Sequence, residues 1–195
     1  MSTTRELFGG AISCSIPESF ADVSDFRQVP DNQEVFADAQ SDQCVIVELL
    51  QREAGVRDED SARFFFNEVA SANGCAPADV EERHAELLSA AVAAPLLGAD
   101  NRAAAAVVSV VVGDQRVAKF REGDGAKNVV RVFLANIRLP SAATDVVLTV
   151  SVPLQINPAS SSAGSFQFDN SAEVGGEVFQ RAVQSFAMHD WSLFG

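Results

Sequence analysis

The run Cys44-Val45-Ile46-Val47-Glu48-Leu49-Leu50 constrains the fold more than any other stretch of the chain. It is nearly continuous in branched apolar residues, the pattern of a central strand covered on both faces. A sheet containing such a strand needs helices on both sides, and two segments have the required period. Asp58-Glu59-Asp60-Ser61 supplies a capping residue and acidic charge for the positive end of a helix dipole, and the predicted helix then runs to Gly74. Ala62, Phe65, Phe66 and Val69 recur at the helical interval and form its buried face, so the cluster Phe64-Phe65-Phe66 reads as core packing rather than a cofactor site. A second helix is predicted from about Ser171 to Met188, with Val174, Val178, Ala182, Val183 and Phe186 as its stripe. Gly175 and Gly176 should weaken its first turns.

The other strands follow from alternation and branched-residue runs. Ala11 to Ile16 alternates as a half-exposed strand closed by Pro17, and Glu34 to Asp38 forms a short one. Ala104 to Val112, Gln115 to Phe120, Lys127 to Leu139 and Asp145 to Val152 make a strand-rich block, with Gly113-Asp114 expected as a tight hairpin turn. The Pro140 to Thr144 connection is too short for a parallel crossover, so the last two strands should pair antiparallel. Asn157 to Ser165 is small, polar and punctuated by Pro and Gly, and is expected to be a mobile loop. The expectation is one domain over 1–195, α+β in class, an α/β/α sandwich with a mainly antiparallel central sheet.

Composition narrows the function. With 195 residues at 47% hydrophobic, the chain has enough apolar material for one substantial core. No run approaches the roughly 20 apolar residues that would span a bilayer, and the first residues lack a secretory pattern; a soluble intracellular protein is expected. Cys14, Cys44 and Cys75 are too widely spaced for a zinc site or a disulfide framework and read as buried thiols. His84 and His189 belong to no metal-ligand pair, and His189-Asp190 with Ser192 lacks a nucleophile elbow. In that tail, Leu193 and Phe194 are expected to dock into the sheet. Neither Gly113-Asp114 nor Gly123-Asp124-Gly125 matches a phosphate-binding loop. Arg116, Lys119 and Arg121 form a modest basic patch that solubility explains more simply than phosphate binding does. No cofactor and no metal are expected.

The net charge is −13 and is concentrated at the front: residues 1–60 carry 13 acidic and 4 basic side chains, a net of −9. Such a surface disfavours nucleic acid and suits a basic protein partner. Within it lies Gln28-Val29-Pro30-Asp31-Asn32-Gln33-Glu34-Val35-Phe36, where Pro30 presets a turn that Asp31 and Asn32 are suited to close. Val35 and Phe36 re-enter the core, and the turn is expected to hold Asp31 and Glu34 outward, near Asp22, Asp25 and Asp38 in sequence.

That run, with Leu7-Phe8-Gly9-Gly10-Ala11, Asp22-Val23-Ser24-Asp25-Phe26-Arg27, Val45 to Leu50, Ile137-Arg138-Leu139-Pro140, Thr144 to Leu148 and the terminal His189 to Gly195, resembles the Ran guanine nucleotide release factor family, the Mog-type nuclear import factors. The resemblance runs nearly end to end and is loose only from about Ser71 to Val107. It implies a sandwich related to the PsbP fold, a monomer that binds the small GTPase Ran and promotes release of its guanine nucleotide, and residence in nucleus and cytoplasm. A further nuclear transport protein could join the complex. Carried over residue by residue, it points to Asp22, Asp25, Asp31, Asn32, Glu34, Glu48 and Gln51 as the Ran-binding set; at Gln51 the family often has a second acid, so a charge is missing here. The alternative it leaves open is an adaptor that docks other proteins, for trafficking or transcriptional regulation, without accelerating exchange.

Overall fold

The computed structural model describes residues 1–89, 106–118, 122–163 and 171–195. Ala104, Lys119, Phe120, Arg121 and Ser165, named above, lie outside the described residues.

Ten strands form two antiparallel sheets among the described residues: β1 (Ser2–Leu7), β2 (Ile12–Pro17), β3 (Ala21–Asp22), β4 (Gln33–Asp38), β5 (Gln43–Gln51), β6 (Val80–Leu87), β7 (Val107–Val117), β8 (Asn128–Leu139), β9 (Thr144–Gln155) and β10 (Ala187–Met188). The large sheet has the order β3-β4-β5-β9-β8-β7-β6, and the small one β1-β2-β10. Helix α1 (Ser61–Ala72) lies on one face of the large sheet; helix α2 (Ala172–Gln184) and the small sheet share the other. The sandwich with an antiparallel centre is therefore present, and one of its outer layers is part sheet.

Strand β5 is interior, between β4 and β9, as its composition required. Its two faces are not equally covered. Val45 and Val47 are fully buried against the small-sheet side, whereas Cys44, Ile46, Glu48 and Leu50 are half-buried, because α1 sits mainly over β7 and β8. The short Pro140–Ala142 turn joins β8 to β9 in antiparallel register, Arg138 opposite Asp145 and Ala135 opposite Leu148. The four residues between Leu139 and Thr144 cannot span a parallel crossover.

Helix α1 packs Ala62, Phe65 and Phe66 with Val111, Val132, Leu134 and Val147, and its Ala70 is buried as well. Its amino end is capped by a distant residue rather than by the acidic run before it: the Ser109 hydroxyl on β7 accepts from the Ala62 N–H at 3.1 Å and bonds the Ser61 hydroxyl at 2.8 Å. Gly113 and Asp114 do not make a hairpin turn, which is a correction to the sequence reading; β7 passes straight through them. A Cβ on Gly113 would stand 2.6 Å from the Glu81 carbonyl oxygen and would collide with the Phe66 ring, so the glycine lets α1 and β6 close on the strand. Asp114 is held between the guanidinium groups of Arg83, at 2.6 Å, and Arg131.

Helix α2 ends at Gln184, short of Met188, and the chain then turns into β10, which pairs with β2. Ser171 caps the helix by accepting from the Val174 N–H at 3.2 Å. Val174, assigned to the apolar stripe from sequence, is 47% exposed; Gly175, Phe179, Ala182 and Val183 are the buried positions. Gly175 abuts Val152, and Phe133 would lie 3.2 Å from an added Cβ. The glycine that weakens the helix locally is what seats it on the sheet.

The segment 157–163 is not a loose loop. Asn128 Oδ1 accepts from the Asn157 N–H at 2.8 Å, Glu122 accepts from the Ser161 N–H at 2.6 Å, and Ser160 and Ser162 are buried. The expectation of a mobile loop is therefore corrected for 157–163, where buried polar partners tie the segment down.

Candidate functional site

The acidic front of the chain folds into the β3–β4–β5 edge of the large sheet and the turns around it. Strand β3 ends at Asp22, whose carboxylate accepts from the Ser24 N–H at 2.8 Å and opens a one-turn 3-10 helix over Val23–Asp25. The Phe26 and Arg27 N–H groups both donate to the Val23 carbonyl, at 3.0 and 3.1 Å. This bonded turn presents Asp25 to solvent and leaves the Phe26 ring 78% exposed.

Pro30 begins a tight turn closed by the Gln33 N–H donating to its carbonyl at 2.9 Å. Asn32 does not close that turn with its side chain as expected. Its Nδ2 donates to the Leu49 carbonyl at 3.1 Å, and its own carbonyl accepts from the Leu49 N–H at 2.9 Å, so it fastens the turn to β5. Asp31 stands at the tip, exposed.

The remaining acids fall on opposite faces of the sheet. In the β4–β5 ladder Glu34 is opposite Val47 and Gln33 is opposite Glu48. Neighbours along a strand point to opposite sides, so Glu34 looks toward the small sheet and Glu48 toward α1. Glu34 is not simply outward: its Oε1 accepts from the Phe8 N–H at 2.6 Å, where Phe8 and Gly9 both have positive φ, 50° and 67°. This bond pins the left-handed turn between β1 and β2. Gln51, at the exposed end of β5, shares the strand side of Val47 rather than that of Glu48. The expected single patch of Asp22, Asp31, Glu34 and Glu48 is thus divided by the sheet, with the Asp31 turn at the division.

On the α1 side, Glu48 accepts from Gln33 Nε2 at 2.6 Å and lines an open groove of about 230 Å³ between β5 and α1, with Leu50, Phe65, Glu68, Val69, Ala72 and Val147. Glu68 and Ala72 are not among the candidates the sequence offers, and Val69 is expected there only as part of the buried face of α1. The helical period places them beside the buried Phe65, but only the packing angle of α1 brings them opposite Glu48. A larger recess of about 550 Å³ lies between α1 and β6, where its one carboxylate, Glu82, is already bonded through both oxygens to Arg63 Nε at 3.0 Å.

Other candidate chemistry separates in space. His189 Nε2 lies 2.7 Å from the hydroxyl of Ser13 on β2, while Ser192 donates to Asp190 at 2.9 Å, so these side chains do not converge as a triad. Trp191 is buried in the core, with Leu193 and Phe194 packed beside it, which anchors the tail. Burial pushes the Cys14 thiol up to about 12 and raises those of Cys44 and Cys75, disfavouring the thiolate. Among the described residues no three His, Cys, Asp or Glu side chains are grouped to hold a metal ion.

Residues 5–153 match the family model described as Ran-interacting Mog1 protein. A Ran guanine nucleotide release factor of Danio rerio is 39% identical over 98% of this chain and 100% of its own. The nuclear import protein mog1 of Schizosaccharomyces pombe is 32% identical over 97% of this chain and 98% of its own. The crystal structure of the Saccharomyces cerevisiae Ran-binding protein Mog1p superposes with a TM-score of 0.74, covering 100% of this chain and 99% of that one at 23% identity, a likeness of fold. The chain belongs to the Ran-interacting Mog1 protein family.

Proposed function

We propose that this protein binds Ran and promotes release of its bound guanine nucleotide, in support of nuclear import. The observation that carries the reading is the near-complete correspondence, at 39% identity, with a relative named for that activity. The acidic β3–β4–β5 edge agrees with it, since a concentrated negative surface accelerates encounter with a basic partner. The protein acts as a monomer in nucleus and cytoplasm, without an active site of its own.

Release needs only preferential binding to the nucleotide-free form of Ran. Linkage is reciprocal, so a hundredfold loss of nucleotide affinity requires about 2.7 kcal/mol of differential binding. In this proposal Asp25, Asp31 and Glu48 offer carboxylates to basic groups of Ran, with Gln51 as an uncharged hydrogen-bonding neighbour. Asp22, Asn32 and Glu34 belong to the same interface and shape it through the turn, strand and Phe8 bonds they already make.

The test is release of a fluorescent guanine nucleotide from purified Ran, with and without this protein, at two salt concentrations. Acceleration that weakens with salt is expected. Binding without acceleration would replace the release reading by that of an adaptor, and neither effect would overturn both.

A further inference from the structure

We propose that the groove between α1 and β5 receives one basic side chain, a lysine or arginine of the partner; this rests on the reading that the partner is Ran. The floor is apolar, made of Leu50, Phe65 and Val69, and suits the methylene stem of such a residue. Two carboxylates line it from different elements, Glu48 from the strand and Glu68 from the helix. Ala72, the last residue of α1, also lines it, so the negative end of the helix dipole adds to the same preference. An apolar side chain would use the floor and leave the carboxylates to be desolvated; an acidic one would be repelled by all three.

Glu48 reaches the groove with Gln33 donating to Oε1 at 2.6 Å, which fixes its rotamer and leaves Oε2 to accept. Through Gln33 and the Asn32–Leu49 bonds the groove is continuous with the turn that carries Asp31. A basic segment crossing from Asp31 to the helix would meet carboxylates along its whole path. Charge complementarity therefore selects the occupant, and the sheet explains why Glu34, on the far face, is not part of this subsite.

The experiment measures Ran affinity for Glu68→Lys, Glu68→Gln and Ala72→Trp in the full chain. Glu68 and Ala72 are exposed, and a lysine late in a helix is favoured by the dipole, so these changes should leave the fold intact, which a thermal melt checks. Glu68→Lys should weaken Ran binding by about tenfold or more, Glu68→Gln by less, and Ala72→Trp should weaken it by filling the groove while retaining its charge. Loss with Ala72→Trp but none with Glu68→Lys would overturn the basic side chain in favour of an apolar one. Unchanged affinity in all three would overturn the groove while leaving Ran as partner; failure of the unsubstituted protein to bind Ran would overturn the partner itself and the groove with it.

Discussion

Glu34 on β4 and Phe8 between β1 and β2 are joined by a 2.6 Å hydrogen bond from the Phe8 N–H to Glu34 Oε1. It couples the two sheets at a point where the backbone runs at positive φ for three consecutive residues, Phe8, Gly9 and Gly10. Glu34→Ala should therefore lower stability by about 1–3 kcal/mol, the cost of a half-buried donor left without its acceptor. Glu34→Gln, which keeps a carbonyl acceptor, should lose less. Chemical denaturation of the two variants distinguishes this from a purely interfacial role, which predicts no change in either midpoint.

Asp31 and Phe26 make the complementary case, being exposed on bonded turns. Asp31→Lys should leave the melting temperature unchanged and slow Ran-directed nucleotide release, with the loss greatest at low salt. Phe26→Ala should likewise spare stability and weaken Ran binding, since an aromatic presented on a rigid turn is a typical anchor. Equal release rates and affinities for both variants and the unsubstituted protein would remove this edge from the interface.

Gly175 and Gly176 are adjacent in α2 and should respond oppositely to alanine. In a helix interior Gly→Ala is worth about 1 kcal/mol in favour of folding. At Gly176 an added Cβ meets Phe133 at 3.6 Å, an ordinary contact, so the gain should appear. At Gly175 it collides with Val152, and the net change should be a loss of about 1–3 kcal/mol. Equilibrium unfolding of the two single variants checks the sign of each.

Arg138 and Asp145 form a fully buried pair, with Nε at 2.9 Å and Nη2 at 3.2 Å from the carboxylate. Arg138 also donates to the Val56 and Glu53 carbonyls, at 2.6 and 3.1 Å, and so holds the loop entering α1. Asp145→Asn should cost about 1–3 kcal/mol: the guanidinium keeps Asp58 Oδ1 at 3.1 Å but loses its fully buried carboxylate. Denaturant unfolding reads the loss, and protection of the 53–58 amides from hydrogen exchange should fall with it.

Asp114 sets an acid limit. Burial alone would raise its pKa, but hydrogen bonds and charge from Arg131 and Arg83 hold it below the ordinary carboxylate value. A depressed folded-state pKa means stability that is fully present above the unfolded carboxylate pKa of about 3.9 and is lost as pH falls through the lower folded value. Asp114→Asn should be less stable near neutrality and should show a shallower decline in stability below about pH 4. Urea unfolding of both proteins across that range tests the sign.

The elements that the chain encodes locally were legible in it: the apolar run of β5, the helical period of α1, the short link between β8 and β9, and the acidic front that marks the candidate site. Each depends on neighbours within a few residues. What escaped depends on pairing at a distance. β6 carries four charged residues among its eight, as suits an edge strand, and the small sheet gains its third strand only when β10 returns to β2 after α2. Gly113 and Gly175 look like turn and weak helix, yet serve the close approach of Phe66 and Val152. The site divides in the same way. Composition alone determined that Asp31, Glu34, Glu48 and their neighbours make an acidic surface; the β4–β5 register decided that Glu34 turns to Phe8 and Glu48 to the helix. Side chains alternate across a strand with a period of two, so only the pairing of strands tells which carboxylates share a face.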